Sequence, residues 1–438
     1  MNIVRIGISL FKRDLIRQIK FASKIELQSK ENLRLLQEEK FKKLIAHAKS
    51  NVPYYKEKLN EISGVADIAK IDFLEKEDIR NNVDRLKALN MDEDRFYSDS
   101  TSGSTGDSLH YFRDKKNEYR RAVGYRCDKR PGYDIGSKVL YLWGAERDIL
   151  EKRSLYVKFK DKYVHKIKML STYHMTDNDI DNYIEIYNKF RPAVIIAYPT
   201  PLFHLASYIE KNDIKIRQLK GIITSSETLF PFQREKIEKI FNCKIYNRYG
   251  CREVGNMASE CKAHNGLHIN TDRFVFEIVD ANGDKCRPGE LGEIVLTDLD
   301  NYAFPLIRYR IGDLGIMSKQ ECTCGINLPL LEKVEGRVFD LIVGVNGNVV
   351  GGTFWTLLRR KIKGWNKFQL VQEDYSQLKI EVENNTEIES DFKEKVVEAI
   401  KEKLGSQMEI TVNIIDKIAL TKTGKHRWII SKVSPYAR

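Results

Sequence analysis

Residues 97–108, which read YSDSTSGSTGDS, concentrate hydroxyl groups and glycines in one short stretch. Residues 101–106 alone hold four hydroxyl side chains and two glycines. Glycine lets backbone N–H groups approach an anion because no Cβ stands in the way, and the hydroxyls add further donors. The stretch is not a Walker loop, since no lysine follows Gly106. Two hypotheses stay open at this point: a loop that binds phosphate, or an ordinary mobile linker.

A second group of polar and aromatic side chains follows alternating strand and helix patterns. Short apolar runs at 193–198, 221–224 and 244–246 alternate with helical patterns at 202–211 and 232–241. This alternation predicts a right-handed parallel α/β arrangement, in which ligands bind beyond the carboxyl ends of the strands. Aromatic rings and carboxylates there suit a purine and a divalent cation. The loops predicted at those ends are 198–200, 225–227 and 249–253.

Cysteine and histidine residues form a third group. Cys322 and Cys324 make a Cys-x-Cys pair, and about sixty residues earlier the chain carries Cys261, His264 and His268. Thiolates and imidazoles in this number suit a tetrahedral zinc ion. The alternative is a set of free buried cysteines that only fill space.

The composition is that of an ordinary globular chain. Its 438 residues are 42% hydrophobic, which is enough for two or three domains. Seven cysteines in a chain of this length suggest a reducing compartment. Because no run of eighteen apolar residues occurs, we expect a cytoplasmic protein.

Positive charge is concentrated at the start of the chain. The formal net charge is +12, and residues 1–60 carry 14 Lys and Arg against 6 Asp and Glu, an excess of 8. A solvated helical face explains this excess most simply. The alternative is an arm that makes peripheral contact with acidic membrane lipid or another polyanion. No nucleic-acid partner is expected.

The elements that must position these groups fall into three parts. Helical patterns at 24–60 and 75–90 precede the hydroxyl-rich stretch, and a strand is predicted at 138–143. From about residue 270, short strands and turns predict an antiparallel β subdomain, with Asp313 in a turn after Gly312. The last part is predicted as a small α+β unit with strands near 367–372, 377–383 and 408–415 and helices near 353–363 and 390–404.

The predicted fold class is therefore α/β. A large N-terminal domain combines parallel α/β sheets with the β subdomain, and a small mobile α+β domain follows it. The boundaries are 1–60 for a helical cap of the large domain, 61–339 for the rest of that domain, and 340–438 for the mobile domain.

The order of motifs resembles the adenylate-forming superfamily, and most closely its phenylacetate-CoA ligase and CapK-like branch, which is associated with capsular polysaccharide synthesis. The resemblance covers nearly the whole chain, and the ordered set is far more specific than any one motif. In chain order the motifs are NVPYY (51–55), TSGSTG (101–106), SSE (225–227), YGCRE (249–253), GELGEIVLTDL (289–299), RYRIGDL (308–314), GRVFD (336–340) and LTKTGKHR (420–427).

This resemblance implies a binding site for ATP and Mg²⁺. Ser226 and Glu227 would face the adenine, and Tyr249 would stack on the purine. Asp313 would bind both ribose hydroxyls, and Glu253 would hold Mg²⁺. The other implied ATP-binding residues are Ser102, Gly103, Ser104, Thr105 and Gly106 at the phosphates, Gly250 beside the stacking tyrosine, and Arg337 on the ribose side.

The resemblance also implies that Lys425 is the catalytic lysine, assisted by Glu253 and Thr105. A carboxylate is a poor nucleophile towards a polyanion, so the enzyme must neutralise charge while pyrophosphate leaves. A metal ion, loop hydroxyls and one movable ammonium group can do so. A mobile domain could deliver Lys425 to the site and withdraw it afterwards.

The acid substrate is expected beside the same strand ends. The predicted lining consists of Trp143, Gly144, Tyr198, Pro199, Ser225 and Cys251. Trp143 and Tyr198 could equally be core aromatics. Cys251 could be a nucleophile, but no base is placed for it by the sequence, so we interpret it as pocket wall.

For zinc, relatives in this branch show a similar EC...GLH...CxCG pattern. That pattern favours Cys261, His268, Cys322 and Cys324 as ligands, with His264 as the rival through its Cys-x-x-His spacing. The metal would be structural.

The leading hypothesis is an ATP- and Mg²⁺-dependent ligase that adenylates a small-molecule carboxylic acid. The acyl group would then pass to a thiol, that of coenzyme A, or to an amine, as in cell-surface polysaccharide synthesis. The alternative is a non-catalytic module of the same fold that binds a nucleotide or a membrane. A homodimer is a further expectation.

Overall fold

The structure, a computed structural model, describes the greater part of the chain. The described residues are 13–100, 109–143, 166–172, 175, 177–337, 342–350, 354–355, 358, 361–365, 367–383, 388–419 and 426–433. Seven predicted site residues lie outside these ranges: Ser102, Gly103, Ser104, Thr105, Gly106, Gly144 and Lys425. For Arg337 the main chain is described and the side chain is not.

Two helices open the described chain, α1 (Arg13–Ile25) and α2 (Lys30–Asn51). The hydroxyl of Ser29 caps α2 by accepting a hydrogen bond from a backbone N–H in its first turn at 3.2 Å. A helix therefore exists within the predicted range 24–60, but it covers only Lys30–Asn51. It ends because Val52, the residue before a proline, adopts an extended conformation.

A third helix, α3 (Lys76–Asn81), is also much shorter than the prediction for 75–90. Directly after it, the side-chain amide of Asn82 donates to the carbonyl oxygen of Asp78 at 2.9 Å. Such a local bond competes with the backbone ladder. The prediction of a helix as far as residue 90 was wrong, because the helix ends at this polar residue.

Strands β1 (Phe96–Ser100) and β2 (His110–Asp114) form an antiparallel pair on either side of residues 101–108 of the hydroxyl-rich stretch. Ser100 lies directly opposite His110. The two described segments that flank residues 101–108 therefore lie side by side.

Eleven further strands form one sheet. In chain order they are β3 (Val139–Trp143), β4 (Ile167–Ser171), β5 (Val194–Ala197), β6 (Gly221–Ser225), β7 (Ile245–Cys251), β8 (Gly255–Glu260), β9 (Leu267–Ile269), β10 (Phe274–Val279), β11 (Leu291–Asp298), β12 (Tyr309–Met317) and β13 (Leu330–Arg337). Across the sheet their order is β10-β11-β12-β13-β9-β8-β7-β6-β5-β3-β4. The strands from β4 to β7 pair in parallel, as the alternating pattern predicts.

Helices cover this parallel half. The helices of the region are α4 (Glu118–Lys129), α5 (Asp177–Phe190), α6 (Pro199–Lys211) and α7 (Pro231–Phe241). Apolar residues of α5, α6 and α7 share a core with Leu140, Ile195 and Ile222. The alternate strand residues Val139 and Val194 belong to a second core on the opposite face. Both faces of the parallel strands are therefore packed.

Strand β7 joins the parallel half to an antiparallel half, because it runs parallel to β6 and antiparallel to β8. The predicted β subdomain thus continues the same sheet. Two loop assignments were wrong: residues 249–251 lie in β7 and Asp313 lies in β12. Gly250 does not mark a turn. It allows β7 to pair closely with β8, since a Cβ at this position would lie 2.3 Å from the carbonyl oxygen of Gly255.

The C-terminal part has its own sheets and core. Its elements are β14 (Ile342–Val343), β15 (Val349–Val350), β16 (Phe368–Gln372), β17 (Gln377–Glu383), α8 (Phe392–Leu404), β18 (Glu409–Ile415) and β19 (Ile429–Ser431). Four of the strands form a sheet in the order β18-β17-β16-β19. Val396 and Ile400 of α8 pack onto it beside Trp365. The predicted α/β class with a small C-terminal sheet and helix is confirmed, whereas the domain boundaries and the mobility stay predictions.

Candidate functional site

The carboxyl ends of three parallel strands bring the predicted acid-binding residues together. Trp143 ends β3, Tyr198 follows β5, and Ser225 ends β6. The rings of Trp143 and Tyr198 have centroids 4.3 Å apart with planes inclined at 45°. Tyr198 is buried, and so is Pro199, the first residue of α6, while Trp143 keeps part of its ring exposed. Tyr198 is thus a core residue that supports Trp143, and Trp143 is the ring that can meet a ligand.

The turn after β6 is held in an uncommon conformation. Ser226 has a φ of 72°, in the left-handed region that few residues other than glycine adopt. Next to it, a carboxylate oxygen of Glu227 accepts from the N–H of Thr200 at 3.1 Å. This bond satisfies a free N–H in the first turn of α6 and places negative charge at the positive end of the helix. It also ties the 225–227 turn to the 198–200 turn.

Tyr249 and Asp313 meet although their strands are distant in the sheet. Strands β8, β9 and β13 separate β7 from β12 in the strand order, yet the Tyr249 hydroxyl donates to Asp313 Oδ2 at 2.7 Å. The sheet must therefore curl, and Gly312, with a φ of 82°, supplies a bend beside Asp313. The main chain of Arg337 lies opposite Asp313 in the register of β12 and β13. Three residues predicted on the ribose and purine side thus meet at one place.

Glu253 is buried close to this pair. The Tyr309 hydroxyl donates to its Oε1 at 3.2 Å. Burial, together with the Glu253 carboxylate, holds the pKa of Tyr309 well above its usual range, so the phenol remains a donor. A buried carboxylate with few protein partners can bind a divalent cation only if other ligands complete the coordination.

Cys251 lies between Tyr249 and Glu253 and is half-buried. Loss of water around the thiol and the nearby Glu253 carboxylate raise its pKa well above the ordinary value. A thiol in this environment stays protonated, which argues against a nucleophile and agrees with pocket wall.

Arg120 in α4 is a residue that sequence reasoning missed. Its guanidinium donates to the main-chain carbonyls of Glu253 at 3.2 Å and Arg252 at 3.1 Å. It makes no ion pair with any carboxylate in the described ranges, and removal from water, followed by the charges of Arg113 and Arg273, lowers its pKa to about 10. No sequence signal could have found it, because its partners are main-chain atoms 132 and 133 positions away.

Lys425 itself is outside the described chain, which resumes at the next residue. His426 is buried, and its Nε2 donates to the carbonyl oxygen of Phe368 in β16 at 2.9 Å. Trp428 then contacts Phe230 of the large domain, with ring centroids 5.5 Å apart.

The structure brings together four of the five Cys and His residues. The ligand atoms of Cys261, His268, Cys322 and Cys324 all lie within 4.8 Å of one another. The Sγ atoms of Cys261 and Cys322 are 3.5 Å apart, and Cys324 Sγ is 3.3 Å from His268 Nε2. Tetrahedral zinc with ordinary bond lengths requires separations of about 3.5 to 3.8 Å. The two short distances lie near that range, so these four residues suit the ion, and the more distant pairs would have to move closer to bind it. His264 is turned away and bonds Glu260 at 3.2 Å instead.

Groups around the cluster orient its ligands. His268 Nδ1 lies 3.0 Å from the carbonyl oxygen of Leu328, which fixes the proton on Nδ1 and leaves Nε2 free to ligate. Backbone N–H groups of Ala263 and Ile326 each donate to a cysteine sulfur at 3.4 Å. Burial lowers the pKa of His268 to about 4, so the ring is neutral near pH 7.

The cluster also adjoins the N-terminal helices. Asn327 donates from its main chain to Glu26 at 3.0 Å and from its side chain to Gln28 at 2.9 Å. Leu328 packs with Ile25 and Leu33. The loop that carries Cys322 and Cys324 is therefore the surface on which the turn between α1 and α2 rests.

Comparisons with known proteins agree with this architecture. A family profile described as the CapK C-terminal domain matches residues 342–432. Protein CapK of Staphylococcus aureus is 26% identical over 417 residues, which cover 91% of this chain and 89% of the relative. A phenylacetate-coenzyme A ligase of Thermus thermophilus is 25% identical over 441 residues, covering 92% of this chain and 96% of the relative.

A solved structure shows the same fold. The crystal structure of a 2-hydroxyisobutyryl-CoA ligase in its postadenylation state has a TM-score of 0.74 at 18% identity and covers 93% of this chain and 91% of its own. The resemblance drawn from the motifs is thus confirmed. Over more than 90% of its length the chain is similar to proteins of the phenylacetate-CoA ligase and CapK-like branch of the adenylate-forming superfamily, which supports an acyl-adenylate-forming ligase.

Proposed function

We propose that the protein adenylates a small-molecule carboxylic acid with ATP and passes the acyl group to the thiol of coenzyme A. The observation that carries the proposal is that Tyr249 donates to Asp313 across the sheet, while the buried Glu253, four residues after Tyr249, accepts from Tyr309. The relatives named as phenylacetate-CoA ligases support the thiol acceptor.

Each of these residues has a task in nucleotide binding. Asp313 accepts from the ribose hydroxyls with the carboxylate that Tyr249 already orients at 2.7 Å. The Tyr249 ring stacks on the purine, with Gly250 leaving room beside it. Ser226 and Glu227 face the adenine, and Arg337 lies on the ribose side. Residues 102–106, outside the described chain, bind the phosphates.

In the first half-reaction a carboxylate oxygen of the acid attacks the α-phosphorus of ATP. The bond from that phosphorus to the bridging oxygen breaks, and pyrophosphate leaves with the electron pair. Glu253 would hold Mg²⁺, and the bound ion would neutralise charge on the phosphate oxygens. Lys425 and the Thr105 hydroxyl stabilise the transition state. Trp143, Gly144 and Cys251 line the acid, and Tyr198, Pro199 and Ser225 form the wall behind it.

In the second half-reaction the thiol sulfur attacks the acyl carbon. The bond from that carbon to the AMP oxygen breaks, AMP leaves with the electron pair, and the thiol proton passes to solvent. The protonated thiol of Cys251 does not compete as an acceptor, since its pKa lies well above the ordinary value.

The first half-reaction is tested by acid-dependent exchange of labelled pyrophosphate into ATP over a panel of aryl and short aliphatic acids. Exchange with at least one acid is expected. Lys425→Ala should abolish exchange while ATP binding persists, and Lys417→Ala is the matched control on the same domain. Folded protein that neither exchanges nor binds ATP would refute the proposal.

A second candidate acceptor is an amine of a cell-surface polysaccharide precursor, which the resemblance to the CapK-like branch implies; residues 342–432 match the CapK C-terminal domain. Mass spectrometry of products formed with coenzyme A, amino sugars and amino acids separates the two. A thioester alone supports the first acceptor and an amide alone supports the second.

We further propose that Cys261, His268, Cys322 and Cys324 hold a structural zinc ion. The mutual distances within 4.8 Å support it. Elemental analysis of purified protein should find about one zinc per chain, and the absence of a near-stoichiometric metal would contradict it.

The remaining expectations concern location and assembly. Within the described ranges no helix is both long and apolar enough to cross a membrane. Cytoplasmic location, peripheral membrane contact through the basic N-terminal segment, and a homodimer stay predictions. Fractionation, liposome sedimentation and light scattering test them in turn.

A further inference from the structure

Tyr111 of β2 carries a buried hydroxyl that nothing in the described chain satisfies. Its side chain is 1% exposed, and its oxygen has no hydrogen-bond partner there. Other buried tyrosines differ: Tyr55 donates to the carbonyl of Pro305 at 3.1 Å, and Tyr309 donates to Glu253. A phenylalanine would fill the same space without the cost of an unsatisfied polar group.

The position of Tyr111 links the hydroxyl-rich stretch to the Glu253 region. It lies three residues beyond that stretch and directly opposite Asp99 in the β1–β2 register. The Asp99–Arg113 ion pair flanks it, with the guanidinium carbon of Arg113 5.9 Å from its ring centroid. Tyr111 therefore sits at the base of the segment expected to bind phosphates.

Its other side belongs to the candidate site. Tyr111 is part of the core cluster that contains Val254 and Tyr309, and Tyr249 and Cys251 pack against that cluster. Burial and then the charge of Asp99, with a smaller contribution from Glu253, raise the pKa of Tyr111. The hydroxyl therefore keeps its proton and is available as a donor.

We propose that the Tyr111 hydroxyl donates a hydrogen bond to an anionic oxygen of the bound substrates, either a phosphate oxygen of ATP or the carboxylate oxygen of the acid. The proposal rests on the proposed function and adds a specific donor to it. An oxygen placed between the base of the hydroxyl-rich stretch and Glu253 would give the buried hydroxyl the partner it lacks. Bonds to charged groups are the stronger class.

The test is Tyr111→Phe, which removes one oxygen and keeps the ring. We expect kcat/KM in acid-dependent pyrophosphate exchange to fall roughly 10- to 100-fold, the range for loss of a hydrogen bond to a charged group. Thermal stability without ligands should stay equal or rise, because the unsatisfied hydroxyl is gone. A higher KM for ATP identifies a phosphate oxygen, and a higher KM for the acid identifies the carboxylate.

Tyr55→Phe is the matched control. Its hydroxyl already has a protein partner, so that variant should lose stability and keep its kcat/KM. Exchange by Tyr111→Phe within twofold of wild type, or lower stability with unchanged kinetics, overturns the proposal. The wild-type exchange rate reports the proposed function separately. If the wild type binds ATP but shows no exchange, the Tyr111 proposal is decided by the ratio of the Kd values for ATP of Tyr111→Phe and wild type. A ratio near one then overturns it. If the wild type does not bind ATP at all, both proposals are overturned.

Discussion

The Cys and His cluster and the Glu253 region differ in the number of ligand atoms that they offer to a cation. The cluster presents four ligand atoms within 4.8 Å of one another, and further bonds orient its ligands, such as His268 to Leu328 at 3.0 Å. Glu253 presents one carboxylate that Tyr309 orients. The ligand atoms at Glu253 are carboxylate oxygens, whereas those of the cluster are sulfur and nitrogen. Oxygen ligands suit a hard cation.

This difference separates a permanent ion from one that arrives with substrate. A closed four-ligand site is typical of structural zinc, whereas Mg²⁺ is usually held by one or two carboxylates plus substrate phosphates. We expect changes at the cluster to alter stability and changes at Glu253 to alter turnover.

The largest effect is expected from Glu253→Gln. Loss of the charge should lower the exchange rate roughly 100- to 1,000-fold, as for removal of an aimed electrostatic group, with little change in thermal midpoint. Glu277→Gln is the control, because Glu277 is an equally buried carboxylate that pairs with Arg308 at 3.4 Å. It should lose stability and keep activity. A large loss of stability in Glu253→Gln would contradict the expectation that changes at Glu253 alter turnover and not stability.

The second-largest effect is expected from loss of the metal at the Cys and His cluster. Cys324→Ser should retain less than about a tenth of the wild-type zinc and unfold roughly 5 °C lower. Its remaining folded fraction should turn over normally. Cys243→Ser, at a half-buried cysteine outside the cluster, is expected to behave as wild type. Activity loss without a change in midpoint would show that the cluster is not merely structural.

Arg120→Met should have an intermediate effect confined to activity. Without the two bonds to the main chain at 252 and 253, we expect about a tenfold loss of kcat/KM and a higher Mg²⁺ requirement. Stability should change little, because this guanidinium has no acid partner in the described chain. Arg126→Met, whose guanidinium pairs with buried Asp272 at 3.0 Å, should instead destabilise strongly. An unchanged Mg²⁺ requirement would remove Arg120 as a positioning residue.

The smallest effect is expected from His264→Ala. Its side chain contacts Glu260 and Tyr246 rather than the cluster, so zinc content should not change and stability should fall by about 1 kcal/mol or less. His268→Ala, measured in parallel, should lose the metal. Zinc loss in the His264 variant would reverse the ligand choice.

The sequence predicted the parallel half of the sheet well, because short apolar runs and amphipathic helices alternate there. It failed at β7 and β12, where polar residues and glycines continue in strands that pair closely. The contact of Tyr249 with Asp313 depends on the curl of the sheet, which no local pattern encodes.

The residues of the candidate site likewise fall into those that the sequence could predict and those that it could not. Tyr249, Glu253 and Asp313 could be found from motif order, and His268 could be preferred over His264 from the family pattern. Arg120 and Tyr111 could not, since one binds main-chain carbonyls and the other is distinguished by a missing partner. Such properties exist only once distant segments are packed together.

The contact of the α1–α2 turn with the loop after Cys324 sets an order for folding during synthesis. Asn327 and Gln28, joined by a 2.9 Å hydrogen bond, are 299 positions apart in the chain. At roughly 5 to 20 residues per second, the side chains of Ile25 and Leu33, which pack with Leu328, wait about 15 to 60 seconds on the ribosome for this partner. The rest of α1 can be buried much earlier, because Leu15 and Ala22 share a core with Tyr119 of α4.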